Sequence, residues 1–132
     1  MRRVTLDTNI YISALEFGGE PLLVLDMAIA GELEVAISGP IMAEIERVLE
    51  TKFGWQPQYI LDAKVLILTT AKWVEPKQML DVVKDDPDDN RIVECAVEAG
   101  SESIITHDKD LLRMGSYQGI KMMKVAEFLR QE

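Results

Sequence analysis

Cysteine and histidine occur once each among the 132 residues, as Cys95 and His107. An internal disulfide is therefore excluded, as is a closed Cys/His zinc site within one chain, so any metal must be held by oxygen. Long apolar runs are missing as well: none reaches the roughly 18 residues that a membrane span needs. In the opening "MRRVTLDTN", Asp7 interrupts before a secretory apolar stretch can develop. These absences predict a cytoplasmic protein with no membrane partner. Positive charge is scarce too, with 14 basic against 23 acidic residues and a net charge of −9. That balance argues against the basic surface on which sequence-independent DNA binding depends. Nucleic acid stays open as a substrate, provided that cations and local basic residues offset the repulsion.

What is present is a chain of ordinary domain length, 48% hydrophobic and 28% charged, which predicts one domain over residues 1–132. Strand and helix patterns alternate along it. "RVTL" reads as a short strand ending at Asp7, followed by a helix beginning in "TNIYISAL". A helix in "EPLLVLDMAIAGE" precedes a strand in "LEVAIS". "SGPIMAEIERVLETKFG" carries an apolar stripe at Ile41, Ile45, Val48 and Leu49, with Pro40 suited to a first turn. "PQYILDAKVLILTTAKWV" is apolar almost all round, which predicts a helix either deeply buried or half buried against a second subunit. "VEPKQMLDVVK" is irregular. Then come a helix in "NRIVECAVEAG", a strand in "ESIIT", a short helix in "KDLLRM", a strand in "IKMMK" and a closing helix in "VAEFLRQ". Strands separated by helices in this way predict an α/β fold, a parallel sheet covered on both faces.

Ligands of open parallel sheets sit outside the carboxyl ends of the strands, and four acids fall near such ends. Asp7 closes the first strand, and Glu44 lies early in the helix after "LEVAIS". Asp89 opens the helix before "ESIIT", and Asp108 follows that strand. They stand 37, 45 and 19 residues apart, so their convergence would be a property of the fold. Like unit charges at 4 Å cost about 1 to 4 kcal/mol per pair. A divalent cation removes that conflict, and an oxygen-only ligand set suits Mg²⁺ or Mn²⁺.

Each acid also has a plainer reading. In "DDPDDN", Asp86 can be a helix cap, Pro87 the first helical residue and Asp89 the third, with acids in the first turn complementing the helix dipole. Capping and metal binding are compatible, since Asp89 shares a face with Ile92, Val93 and Ala96 and can turn toward the sheet. Asp7 can simply end a strand and cap a helix, although an acid so close behind a buried strand is costly to desolvate without a partner. Helical periodicity does not separate Glu44 from Glu46; depth along the axis favours Glu44. Asp108 and Asp110 can each cap the helix after them. His107 reads as a surface or capping residue, Cys95 as core, and Trp55 and Trp73 as core or as interface anchors.

The order "LDTNIYIS", "SGPIMAEIERVL", "VEP", "DDPDDNRIVECAVEAGSESIITHDKDLL" and "AEFL" resembles a PIN domain, in particular the VapC-like toxin components of bacterial and archaeal toxin–antitoxin systems. The resemblance covers nearly the whole chain and is most specific from Asp86 to Leu112. It implies a three-layer α/β/α fold with a central parallel sheet of four to five strands. It also implies Mg²⁺- or Mn²⁺-dependent hydrolysis of RNA by a metal-activated water, a homodimer, and an antitoxin protein as partner. Carried over residue by residue, the family's acidic quartet falls on Asp7, Glu44, Asp89 and Asp108. Thr106, Asn9 and Asp110 would orient ligands or waters, and Arg91 and Lys109 would steady phosphate. The sequence departs from the family only in lacking a proline before the closing helix. Two other functions compete. A phosphoacceptor receiver domain would want adjacent acids where "LDTN" offers one, and a PIN-like scaffold without activity would bind RNA or protein.

Overall fold

The computed structural model describes residues 1–131. A six-stranded sheet organises them, in the order β3-β2-β1-β4-β6-β5. β1 is Arg3–Leu6, β2 Glu34–Ile37, β3 Lys72–Trp73, β4 Ser103–Ile105, β5 Ser116–Tyr117 and β6 Ile120–Met123. All pairings are parallel except that of β5 with β6. The helices flanking the sheet are α1 (Thr8–Glu16), α2 (Gly19–Ile29), α3 (Gly39–Thr51), α4 (Pro57–Thr70), α5 (Asn90–Ala99), α6 (Lys109–Met114) and α7 (Val125–Arg130).

The expected parallel α/β architecture is present, with six strands where four to five were expected. Both extra strands are two residues long, too short to leave a periodic signature. β3 was expected to be the end of the preceding helix. Instead Ala71 turns extended, with ψ 158°, and Lys72 and Trp73 add to the open edge of β2 opposite Ala36 and Ile37. β5 is half of a tight hairpin whose two-residue loop, Gln118–Gly119, has positive φ at both positions (49° and 83°), the geometry that matches strand twist.

Strand order fixes where a site can form. From β1 the chain builds outward through β2 to β3, then returns to the other side of β1 as β4. The direction of winding therefore reverses at β1, and a crevice opens between the segments that leave β1 and β4. α5 fills the middle of one face against β1, β2 and β4, burying Ile92, Val93, Cys95, Ala96 and Ala99. It stops where Gly100 adopts a left-handed conformation (φ 68°, ψ 37°), which costs glycine little.

α4 takes the half-buried alternative. Ile60, Ala63 and Ile67 face the core, while Tyr59 (55%), Leu61 (59%), Val65 (52%) and Leu68 (43%) lie open. Between Trp73 and Pro87 the chain crosses without regular structure, so its backbone donors need side-chain acceptors. Asn90 supplies them. Its Oδ1 accepts the N–H groups of Val82 and Val83, each at 2.8 Å, and its Nδ2 donates to the carbonyls of Val83 and Pro87. Losing this amide would leave buried groups unpaired. Asn90→Ala is expected to cost about 2 kcal/mol and to lower the thermal midpoint by several degrees in a melting experiment. An unchanged midpoint would contradict this account of the segment.

Candidate metal centre

Asp7 leaves β1 at the crevice. Its backbone N–H still bonds the carbonyl of Ile105 (3.0 Å), tying the ends of β1 and β4 together. Asp7 stands at the N-cap position of α1, yet its carboxylate makes no capping hydrogen bond. Thr106 holds it instead: the Thr106 hydroxyl donates to Asp7 Oδ2 at 2.6 Å and accepts the N–H of Asp108 at 2.9 Å. One hydroxyl therefore sets the relative position of two strand-end acids. The expected orienting role of Thr106 has a geometric basis.

Asp108 caps α6, its Oδ1 accepting the N–H groups of Asp110 and Leu111. Oxygens of Asp86, Asp89, Asp108 and Asp110 lie within 4.8 Å of one another. Asp89 is the innermost of these, 8% exposed, and its Oδ2 is buried with no hydrogen-bond partner. The expected cap at Asp86 is corrected here. Pro87–Asp89 form a single 3₁₀ turn, α5 begins at Asn90, and the Asp86 side chain makes no capping bond. The Asp86 carboxylate turns into the cluster instead.

Two of the carboxyls, Asp7 and Asp89, have raised pKa values. Burial pushes Asp7 up to about 6, with the charges of Asp108 and Glu44 adding to the rise and the Thr106 hydrogen bond opposing it. Burial likewise pushes Asp89 up to about 9, helped by the neighbouring Asp108 carboxyl, toward which a protonated Asp89 could donate, and by the charges of Asp108, Asp7 and Asp86. Of the expected quartet, Asp89 and Asp108 belong to the cluster of ligand oxygens. Asp7 and Glu44 are not among those oxygens and are linked to it through charge, Asp108 and Glu44 acting on Asp7 and Asp7 on Asp89. On α3 both acids are ion-paired, Glu44 with Arg47 at 3.7 Å and Glu46 with Lys64 of α4 at 3.5 Å, and it is the charge of Glu44 that bears on Asp7.

Other expected residues are placed less centrally. Asp110 joins the cluster and accepts from Arg113 (3.2 Å). Arg91 donates to Glu94 (2.7 Å) and to the Leu80 carbonyl (3.4 Å), which steadies the irregular segment. Lys109 and Asn9 are exposed, and neither reaches the acids through a hydrogen bond among the described residues. His107 accepts the Val125 N–H (3.4 Å), which helps start α7 where a proline was missed. Cys95 is fully buried, in contact with Thr5 and Ser38. Beside the acids runs a groove of about 410 Å³, lined by Thr8, Pro40, Glu44, Arg47, Asp88 and Arg91.

The donor set fits a hard divalent cation. It is all oxygen, and one ligand atom is buried without a donor. A cation would displace the protons that Asp7 and Asp89, with their raised pKa values, tend to retain. Asp86 and Asn90 were the residues the sequence reading passed over. Asp86 was visible as an acid but took the role of a cap, and nothing local marks Asn90 as the acceptor for a strandless segment eight residues away.

A mostly parallel α/β domain carries, near the point where its winding reverses, a cluster of carboxylates that could hold a cation. The model of the PIN domain matches residues 3–110, and the chain belongs to the PIN-domain family, whose members are nucleases. Among solved structures it is similar to VapBC2 from Rickettsia felis, bound to a DNA fragment from the promoter, with TM-score 0.64, 15% identity, and 92% of this chain and 98% of that chain covered. It is also similar to VapBC-1 from nontypeable Haemophilus influenzae, with TM-score 0.64, 17% identity, and 94% and 98% covered. At such identities the likeness is one of fold. No curated protein matches in sequence. No helix among the described residues is long and apolar enough to cross a membrane.

The pKa shifts set a sign for stability. Both folded values lie above the roughly 4 of an unfolded aspartate, so the folded state holds extra protons. Stability is therefore lost as pH rises from about 4, through about 6 for Asp7 and about 9 for Asp89. Without metal, Asp89→Asn is expected to raise stability at roughly pH 8 by about 1–3 kcal/mol and to flatten its decline above neutrality. Thermal melts of metal-free protein across pH check this. A decline as steep as that of the unaltered protein would count against it.

Proposed function

We propose that this protein is a divalent-metal-dependent ribonuclease that hydrolyses RNA phosphodiester bonds, and that it is the toxin of a toxin–antitoxin pair. The observation that carries the reading is the buried, donorless oxygen of Asp89 amid Asp7, Asp86 and Asp108. A cation resolves that arrangement, and membership of a nuclease family supplies the chemistry for it. Asp7, Glu44, Asp89 and Asp108 would hold Mg²⁺ or Mn²⁺. When bound, the ion supplies Lewis-acid charge at the phosphodiester and lowers the pKa of a water.

The chain's own groups do the rest. Thr106 keeps the Asp7 carboxylate aimed at the pocket, and the backbone of α6 fixes one oxygen of Asp108 so that the other stays available. Asp89 gives up its proton on ion uptake. Arg47 and Arg91, in the groove beside the acids, offset the acidic surface and steady the phosphate, and the exposed Lys109, next to Asp108 in sequence, would assist them. Asn9 and Asp110 remain candidates for ordering waters. The two VapBC structures support an antitoxin as partner, and the open apolar face of α4 supports a homodimer. A scaffold without activity has no use for so costly a set of acids, and a receiver domain does not accord with membership of the PIN-domain family.

Incubation of purified protein with labelled single-stranded RNA is expected to give cleavage that needs Mn²⁺ or Mg²⁺ and stops with chelator. Asp7→Asn should reduce it by at least about 100-fold, and Thr106→Ala by roughly 10- to 100-fold. Cleavage indifferent to chelator and to Asp7→Asn would refute the reading. For assembly, Leu61→Glu is expected to shift a dimer to monomer in sedimentation. An unaltered protein that is already monomeric would remove the homodimer.

A further inference from the structure

The groove beside the acids does not end at Pro40 and Arg91. Both residues also line a second groove, of about 480 Å³, bounded by Trp73, Val74, Lys77 and Met79. Its floor is formed by the irregular segment after β3. Trp73 is 45% exposed, although its side chain could have been buried against the sheet edge it joins. The ring instead lies over Gly39, where an added Cβ would come within 3.6 Å of it. The start of α3 is thus the platform's support. From Gly39 to Glu44 is about 7.5 Å along the helix axis at 1.5 Å per residue, so the support of the ring and one of the acids belong to the same helix.

Resting on the ribonuclease reading, we infer that Trp73 is a stacking platform for an unpaired base of the RNA strand, next to the scissile phosphate. A base offers a flat apolar face, and an exposed indole supported from behind is the side chain best suited to receive it. Lys77 and the ion-paired guanidiniums of Arg47 and Arg91 mark where the phosphates of a strand passing from one groove to the other would rest. Arg47 stands in the first groove, Arg91 in both and Lys77 in the second. Of the two acids lining the second groove, Glu94 is neutralised by Arg91 at 2.7 Å. Glu75 opposes the path at an exposed position, as do Asp88 and Glu44 in the first groove, where Glu44 is paired with Arg47 at 3.7 Å. Stacking tolerates any base, so this subsite binds single strands over duplexes, whose bases are already stacked.

The test uses two readouts. In Asp7→Asn/Trp55→Phe protein, Trp73 is the sole tryptophan, and a short single-stranded oligoribonucleotide with Mn²⁺ is expected to quench its fluorescence, whereas the same sequence as a duplex does not. In otherwise unaltered protein, Trp73→Ala should raise KM for single-stranded RNA about tenfold with little change in kcat, and Trp73→Phe should restore most of the loss. An abasic nucleotide at one position of the substrate should abolish the difference between Trp73→Ala and the unaltered protein. Normal cleavage by Trp73→Ala with unchanged KM, or quenching equal for duplex and single strand, would overturn the inference alone. A Trp73→Ala change that altered oligomeric state while sparing KM would assign the ring to a protein contact, and would also overturn it. Failure of the unaltered protein to cleave RNA with metal would instead overturn the functional reading and this inference with it.

Discussion

Mutual repulsion among buried carboxylates is the constraint around which this molecule is arranged. Asp7 and Asp89 are 4% and 8% exposed, too buried for water to screen their charge, and each feels Asp108. A fold keeps such groups together only if rigid supports hold them and a compensating positive charge is supplied. Protons supply it up to about pH 6 at Asp7 and about pH 9 at Asp89. A divalent ion supplies it under conditions where the protons would leave.

The supports come from the sheet. Because winding reverses at β1, the segments leaving β1 and β4 diverge and open a crevice at their ends. Thr106 bridges those ends through one hydroxyl, and the backbone of α6 immobilises an oxygen of Asp108. Asn90 then anchors the irregular segment that leads into the Asp cluster. Loss of any one support would leave the acids free to move apart, which is the direction their charges favour. The same irregular segment forms the floor of the second groove, so the geometry of the acids and the shape of a binding surface have a common origin.

The sequence carried the alternation of elements and the position of Asp7, Asp89 and Asp108 because each rests on a strong local signal: an acid directly behind an apolar strand or at the start of an amphipathic helix. Glu44 was legible only as one of two flanking acids, since helical periodicity is nearly the same for Glu46, and the choice depends on what lies across from each. β3 was not legible. Lys72 and Trp73 continue an apolar helical pattern, and only the open edge of β2 draws them into the sheet. Asp86 illustrates a different limit. Its backbone does occupy a capping position, accepting the Asp89 N–H at 3.0 Å, but its side chain is claimed by carboxylates that are distant in sequence. For Asn90, the need for an acceptor arises only once Val82 and Val83 are known to lie beside it without strand partners.

The central claim is that the clustered acids exchange protons for a divalent ion. Calorimetric titration of metal-free protein with Mn²⁺ near neutral pH, in buffers of differing ionisation enthalpy, measures that exchange most directly. The account predicts saturable binding with release of about one proton per ion, drawn mainly from Asp89. Absence of binding, or binding with no proton release, would contradict it.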